Sequence, residues 1–181
     1  MEYPNTNLFL KDGREVTFAK AAEKDALEVM HFFQNITQET EFLSKSSAET
    51  MKSVNEVKYW LMTLDKSKKN LFLIAKEGGN ILGMGQLIFS LRHKSKHRAT
   101  VAVAVRKPYW NLGLGTQILT KMASFARYNG VSQLELTVME NNQNAIKLYQ
   151  KLGFIQVGKI PNAFLMQNGS YSAELIFVKQ I

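Results

Sequence analysis

One stretch of the sequence, from Arg98 to Asn129, most constrains how this chain can fold. It begins with valines that alternate with smaller residues from Ala99 to Val105, a pattern that predicts a β-strand. Lys107-Pro108 ends that run, and a glycine-containing turn follows. The next segment has apolar residues at helical spacing, namely Leu114, Ile118, Leu119, Met122, Phe125 and Ala126. The sequence therefore predicts a strand, a tight turn and a helix in direct succession.

The turn itself, Asn111-Leu112-Gly113-Leu114-Gly115-Thr116, is suited to hold a negatively charged group. Glycines remove the Cβ atoms that would keep a ligand away from the backbone. The first N–H groups of a helix have no partner within that helix, and they point toward its N-terminal end. A pyrophosphate would fit such a turn, although an ordinary strand-to-helix connection remains the alternative at this point.

Two other phosphate-binding motifs fit less well. A dinucleotide fingerprint requires a third glycine where this chain has Ile118, and Glu135 lies within a strand pattern rather than at the end of a strand. A phosphate-binding loop of the NTPase type ends in Gly-Lys-Ser/Thr, but no lysine separates Gly115 from Thr116. Neither a dinucleotide nor an NTPase site is therefore indicated.

The remaining pattern predicts a mixed α/β domain. Further strands are predicted at Val16–Lys20, Leu71–Ala75, Ile81–Leu91, Leu134–Val138, Phe154–Val157 and Tyr171–Lys179. Further helices are predicted at Ala22–Gln34, after the capping box Ser53-Val54-Asn55-Glu56, and from Asn142 to Gly153. Asn35–Ser47 is polar and predicted to be irregular and functional. We expect one α/β domain over residues 1–181, a mixed central sheet flanked by helices on both faces.

Charge and composition limit the partners. The chain has 23 Lys and Arg against 15 Asp and Glu, so its formal net charge of +8 favours anionic partners. Basic residues cluster at Lys66–Lys69 and Arg92–Arg98, where solvated loops are the simplest explanation. There is no cysteine, which excludes disulfides and thiol nucleophiles and is compatible with a cytoplasmic location. We expect neither membrane association nor a metal site, because the three histidines lack metal-ligand neighbours.

Two segments resemble the signature of a known family. They consist of Val105, Tyr109 and Gly113-Leu114-Gly115, followed after a strand by Asn142, Ala145, Leu148, Tyr149 and Gly153-Phe154. In order and spacing they resemble the GNAT superfamily of acetyl-CoA-dependent N-acetyltransferases. The likeness extends over most of the chain, and Thr17–Ala21, Asp25, Ile81–Gly83 and Asn168–Tyr171 resemble bacterial members that acetylate ribosomal proteins or small amines.

The resemblance implies a cofactor, a reaction and site residues. Acetyl-CoA would bind with its pyrophosphate at residues 111–116 and its pantetheine arm along the backbone of Val103, Ala104 and Val105, with Asn142 bonding the same arm. Tyr149 would lie near the thioester sulfur and act as a general acid, since a phenol keeps its proton at neutral pH. A tyrosine on a buried helix face, with no catalytic role, is the alternative.

The general base stays open. Family members often have a glutamate where this chain has Ala99 or Thr137. Four other side chains, or an ordered water, are candidates instead: Glu39, Glu41, His97 and Glu135. Trp110 stands where the family commonly has Gln or Arg, which leaves open whether its side chain contacts the cofactor.

The leading hypothesis is therefore acetyl transfer to a primary amine by direct attack in a ternary complex. One alternative is a CoA-binding module without catalysis, and another is a basic nucleic-acid-binding protein. The basic runs lack the interleaved aromatic residues of a single-strand binding surface, which argues against the last. A homodimer and the identity of the amine acceptor are left open.

Overall fold

The computed structural model describes residues 3–43, 52–66 and 70–181. The strands are β1 Thr6–Phe9, β2 Glu15–Lys20, β3 Asn70–Glu77, β4 Asn80–Phe89, β5 Arg98–Val105, β6 Gln133–Met139, β7 Ile155–Leu165 and β8 Tyr171–Gln180. The helices are α1 Ala26–Glu39, α2 Val54–Lys66, α3 Leu114–Tyr128 and α4 Gln143–Lys151. All eight strands form one sheet in the order β1-β2-β3-β4-β5-β6-β8-β7. Because β5 and β6 are parallel and the other neighbours antiparallel, the predicted mixed sheet is confirmed.

Helices cover both faces of the sheet, as the sequence predicts. α3 and α4 bury Leu114, Ile118, Met122 and Tyr149 against one face, in a cluster that continues into β8. α1 and α2 bury a second cluster against β3 and β4 on the other face. Burial of these apolar side chains is the main stabilisation of such a layered domain. The two clusters also fix α3 and β5, which carry the predicted phosphate turn.

Two glycines in β4 let α3 lie directly on the sheet. A Cβ atom added to Gly85 would lie 2.5 Å from Cγ2 of Ile118, and one added to Gly83 would lie 3.0 Å from Cδ1 of the same residue. The sequence predicts a bulge or a close approach here, and the structure has both. The pairing with β3 shifts between Ala75 and Lys76, so that Leu82 is an extra residue in β4.

β5 and β6 separate after a short paired segment. Only residues 98–100 of β5 pair with residues 133–135 of β6. β5 then continues to Val105 and β6 to Met139, while their outer neighbours stay paired along the whole length. A wedge therefore opens between residues 101–105 and 136–139, which we call the β5–β6 opening.

The sequence-based prediction ends α1 too early and misses one strand. α1 continues to Glu39, so the prediction of irregular chain from Asn35 is wrong for its first residues, while the part after residue 43 lies outside the described residues. The helix continues because Ile36 follows Phe32 by one turn and both are 1% exposed. Strand β1 was not predicted, although Asp12-Gly13 is a common hairpin turn pair.

The capping box is half confirmed. Ser53 Oγ accepts a hydrogen bond from the Glu56 N–H at 3.2 Å, but the Glu56 carboxylate accepts from the Lys52 N–H rather than from Ser53. Most of the basic run Lys66–Lys69 lies outside the described residues. In the part of the chain that the structure describes, no helix has both the length and the apolar character needed to cross a bilayer.

Candidate functional site

The register of β5 shows which of its peptide groups face the opening. The Arg106 N–H bonds to the Leu82 carbonyl and the Ser90 N–H to the Arg98 carbonyl, both at 3.0 Å. Peptide groups alternate in direction along a strand, so the even-numbered residues of β5 point their N–H and C=O groups toward β4. The odd-numbered residues, among them Val103 and Val105, point theirs into the β5–β6 opening.

This alternation divides the three residues expected to pair with a pantetheine arm. Val103 and Val105 offer peptide groups to the opening, whereas those of Ala104 face Met84 of β4. The indole N–H of Trp110 also donates to the Val105 carbonyl at 2.7 Å. An extended ligand would therefore find a free edge made mainly of the Val103 peptide groups and the Val105 N–H.

The loop after β5 brings α3 to the same opening. Asn111 and Gly113 both have positive φ angles, 64° and 89°. Gly113 is the N-cap of α3 and, as a glycine, has no side chain that could accept from the first N–H groups of the helix. The first bond into the helix runs from the Gln117 N–H to the Gly113 carbonyl at 3.1 Å. The N–H groups of Leu114, Gly115 and Thr116 thus have no partner within the helix.

Gly115 keeps the first turn of α3 close to its neighbours. A Cβ atom there would lie 3.0 Å from Cδ2 of Leu148 on α4 and 3.8 Å from Cγ2 of Val105 on β5. The first turn of α3 therefore adjoins the β5–β6 opening. Free peptide groups along β5 and free N–H groups at the helix start suit, respectively, an extended amide chain and a diphosphate.

Asn142 begins α4. Its side-chain Oδ1 accepts a hydrogen bond from the Ala145 N–H at 3.2 Å, which makes it the N-cap of the helix. The capping bond uses the oxygen of the side-chain amide and leaves the Nδ2 hydrogens as donors. The expected bond to a pantetheine arm stays a prediction.

Tyr149 has its ring in the core. The side chain is 6% exposed, and its ring lies near those of Phe154 and Phe177, with centroids 5.9 and 6.3 Å away. Burial raises the pKa of the Tyr149 hydroxyl to about 12. Within the described residues, the side-chain polar atoms that are buried and lack a hydrogen-bond partner belong to Glu28 and Gln117, so the Tyr149 hydroxyl is not an unpaired buried group. Because its pKa is raised, the hydroxyl is a protonated donor at neutral pH.

Two candidates for the general base are bound to arginines. Glu135 accepts from Arg98 in a bidentate pair, with one distance of 2.7 Å, and the hydrogen bond from Arg98 lowers the pKa of Glu135. Glu39 accepts from Arg106 at 2.7 Å and from the Lys107 N–H at 2.8 Å. Both carboxylates are already engaged by several donors, and the lowered pKa of Glu135 makes that group a weaker base.

The other two candidates, His97 and Glu41, are exposed. His97 precedes β5, and its carbonyl accepts from the Ser132 and Gln133 N–H groups at the closed end of the opening. At about 3.3 Å per residue, Val103 lies roughly 20 Å farther along the strand. Glu41 lies two residues after Glu39, which ends α1 and is bonded to Arg106 just past the open end of β5. Among the described residues, no three His, Asp or Glu side chains lie close enough together to hold a metal ion.

A further carboxylate, Glu174, was not considered from the sequence. It pairs with Met139 at the end of β6, and so lies at the open end of the β5–β6 opening. Leu175 and Phe177 belong to the core cluster under α3 and α4, so Glu174 is on the opposite face of the sheet. It is partly exposed and forms no ion pair with another described residue. The alternation of residues in β8 predicts the face on which Glu174 lies. Only the pairing with β6 shows that Glu174 lies near the open end of the opening.

Similar proteins were found at the level of family, sequence and structure. Residues 31–154 match the model of the acetyltransferase (GNAT) family. The L-amino acid N-acetyltransferase AaaT of Escherichia coli (strain K12) is 27% identical over 100 residues, which cover 55% of this chain and 61% of that protein. The curated relatives that the chain matches are covered over about half of their own length.

Two solved structures extend the likeness to nearly the whole fold. An acetyltransferase of the GNAT family from Streptococcus pneumoniae has a TM-score of 0.85 and 28% identity, with 92% of this chain and 99% of that chain covered. YncA from Salmonella typhimurium, a protein solved with its cofactor acetyl-CoA, has a TM-score of 0.78 and 17% identity, with 91% and 93% covered. The second comparison supports the fold alone.

Proposed function

Because this chain belongs to the acetyltransferase (GNAT) family, we propose that it transfers the acetyl group of acetyl-CoA to the nitrogen of a primary amine. The observation that carries the proposal is the β5–β6 opening, which has free peptide groups on one edge and the start of α3 beside it. These two features match the amide-containing arm and the diphosphate of CoA. The branch of ribosomal-protein and small-amine acetyltransferases stays a prediction.

Named residues would hold the cofactor. Val103 and Val105 would bond the pantetheine amides as an added strand would, and the N–H groups of residues 114–116 would bond the pyrophosphate. Asn111, Leu112 and Gly113 shape the loop that leads to those N–H groups, since two of the three have positive φ. Asn142 would use its free Nδ2 donor. When bound, acetyl-CoA supplies the acetyl group as a thioester.

Tyr149 would provide the proton for the leaving group. Its hydroxyl keeps its proton at neutral pH because burial raises its pKa to about 12. It can therefore donate to a departing thiolate, and a positioned acid of this kind contributes about a hundredfold or more to the rate. Phe154 and Phe177 hold the ring, so that little freedom is lost when the hydroxyl donates.

The acceptor would approach on the face of the sheet opposite α3 and α4. On that face Thr137 is exposed and Glu174 is partly exposed. α1 and α2 cover the half of the face that is formed by β3 and β4. We infer that Glu174 attracts and orients the amine, since it is a carboxylate at the open end with no described ion-pair partner. Glu41 and ordered water remain the candidates for removing the proton of the amine.

We also propose direct attack in a ternary complex, in the cytoplasm. The absence of cysteine from the sequence supports direct attack, because it removes the thiol that could carry the acetyl group. A homodimer stays a prediction, for which β7 is a suitable edge: it is one of the two outermost strands of the described sheet, and its Ile155 and Leu165 are 66% and 69% exposed.

A transfer assay tests the proposal. Purified protein would be incubated with acetyl-CoA and a panel of amino acids, polyamines and peptides with free N-termini, and both free CoA thiol and acetylated amine would be measured. The proposal expects equal amounts of the two products for at least one amine. A calorimetric titration with CoA accompanies the assay: CoA binding without any acetylated product would favour the non-catalytic module, and no CoA binding would contradict the proposal. Retention of nucleic acid that weakens steeply with salt would support the third hypothesis instead.

A further inference from the structure

The N-terminal hairpin β1–β2 is attached to the loop and helix that would bind the phosphates. The Lys11 N–H donates to the Leu112 carbonyl at 3.2 Å. Gln117 in the first turn of α3 donates to the Phe9 carbonyl at 3.0 Å, and Lys121 one turn later donates to Thr6 Oγ1 at 2.6 Å. The hairpin is therefore held beside residues 111–116 by bonds to the loop and to the first two turns of α3.

The side chain of Lys11 lies over Gly113. Its Cγ and Cε atoms are each 3.9 Å from the position that a Cβ atom on Gly113 would occupy. Nζ is one bond beyond Cε, so the ammonium group lies at the N-terminal end of α3. Because the backbone of Lys11 is already bonded to Leu112, little backbone freedom would be lost when the ammonium binds a ligand.

Charge pairing around the loop leaves the ammonium group of Lys11 available to a ligand. Arg14 pairs with Asp12 and Glu77, and Arg106 pairs with Glu39. The carboxylate next to Lys11 in sequence is thus already engaged. Lys11 and Lys107 form no ion pair with another residue in the ranges 3–43, 52–66 and 70–181. Trp110 offers no free donor from within the loop, since its indole N–H bonds to Val105.

We propose that Lys11 binds the pyrophosphate of CoA at the first turn of α3, so that the N-terminal hairpin is part of the cofactor site. This inference rests on the proposed function. A lysine ammonium close to free helical N–H groups adds a charged donor to a diphosphate site. The hairpin thereby adds a cationic side chain to residues 111–116, which contain none of their own.

Calorimetric titration with CoA and with 3′-dephospho-CoA tests the inference. Lys11→Met keeps the aliphatic stem over Gly113 and removes the charge, and Lys24→Met removes one charge from an exposed lysine on the other face of the domain. We expect Lys11→Met to weaken both ligands about tenfold, the loss of one charge-assisted bond. Lys24→Met should leave both affinities within twofold, and Lys11→Arg should restore most of the affinity.

Each other outcome overturns the inference. Unchanged affinity of Lys11→Met for CoA would mean that the stem merely packs on Gly113. Weaker binding of CoA with unchanged binding of 3′-dephospho-CoA would assign Lys11 to the 3′-phosphate instead. Weaker binding that comes with a lower melting temperature of ligand-free Lys11→Met, and that Lys11→Arg does not restore, would assign Lys11 to folding instead. If the parent protein binds neither ligand, the proposed function fails, and the inference about Lys11 fails with it.

Discussion

Glu39, the last residue of α1, is bonded to Arg106, the first residue after β5. Glu39 Oε1 accepts from Arg106 Nε at 3.0 Å and from Nη2 at 2.7 Å, while its Oε2 accepts from the Lys107 N–H at 2.8 Å. The pair therefore fixes the end of α1 against the start of the loop that leads to α3. Three donors to one carboxylate argue for a structural role of Glu39 rather than for a general base.

Replacement of Glu39 should reduce stability. Glu39→Ala would leave the partly buried Arg106 without its acceptor, and loss of a charged hydrogen bond costs about 1.5–3 kcal/mol. The control is Glu41→Ala, two residues later and exposed, for which we expect a change within about 0.5 kcal/mol. Urea denaturation of both variants measures the difference. Equal stability of Glu39→Ala and the parent would show that the bonds to Arg106 contribute nothing.

The Glu135–Arg98 pair should make stability depend on pH. Because the pKa of Glu135 is lowered in the folded state, its contribution is present above the ordinary value of 4.5 and is lost as the pH falls through the lowered value. The difference in unfolding free energy between the parent and Glu135→Gln should thus be constant near neutrality and shrink in acid. The rate of acetyl transfer should keep its pH dependence in this variant. A lost basic or acidic limb would make Glu135 a catalytic group after all.

Gly113 should respond to substitution through its backbone as well as through the ligand. Its φ of 89° strains any residue with a Cβ, so Gly113→Val should lose about 1–2 kcal/mol of stability in addition to CoA affinity. Asparagine tolerates positive φ better, so Gly113→Asn should stay closer to the parent in stability and still bind CoA more weakly. Thermal unfolding and calorimetry separate the two effects. Parental CoA affinity in a folded Gly113→Asn would contradict the phosphate-site assignment.

Two variants of Tyr149 should distinguish a catalytic role of its hydroxyl from a packing role of its ring. Tyr149→Phe keeps the ring between Phe154 and Phe177 and removes the donor, so CoA affinity should persist while turnover falls by about a hundredfold. A smaller loss is expected if the thiolate departs readily without full protonation. Tyr149→Ala opens a cavity and should cost about 3–5 kcal/mol of stability. If the Phe variant keeps turnover within twofold of the parent, Tyr149 is a core residue and another group is the acid.

The elements that the sequence predicts well are those with a strong period. The apolar residues of α3 predict its buried face, and Leu114, Ile118, Leu119, Met122 and Ala126 are indeed buried, while Phe125 is only partly buried. The end of α1 was predicted too early because Asn35, Thr37 and Gln38 look like loop residues. Burial of Ile36 outweighs the weak helical preference of its polar neighbours.

The candidate site was only partly predictable. The glycines at positions 113 and 115 are a local sequence signal of a phosphate-binding loop. Only the family resemblance assigns Tyr149 and Asn142 to the candidate site. The contacts of Lys11 with Gly113, of Trp110 with Val105 and of Glu39 with Arg106 join residues far apart in the chain or in different elements. No period or spacing in one sequence specifies such pairs, because they depend on how β1–β2 and α1 pack beside the loop.

The most direct test of the account is the exchange of individual backbone amides, measured by NMR with and without CoA. If CoA lies in the β5–β6 opening, the N–H groups of Val103, Val105 and residues 114–116 should become protected when it binds. The Ala104 N–H should change little, because it is already bonded to β4. CoA binding with no new protection at Val103, Val105 or the first turn of α3 would contradict the assignment of this opening as the cofactor site.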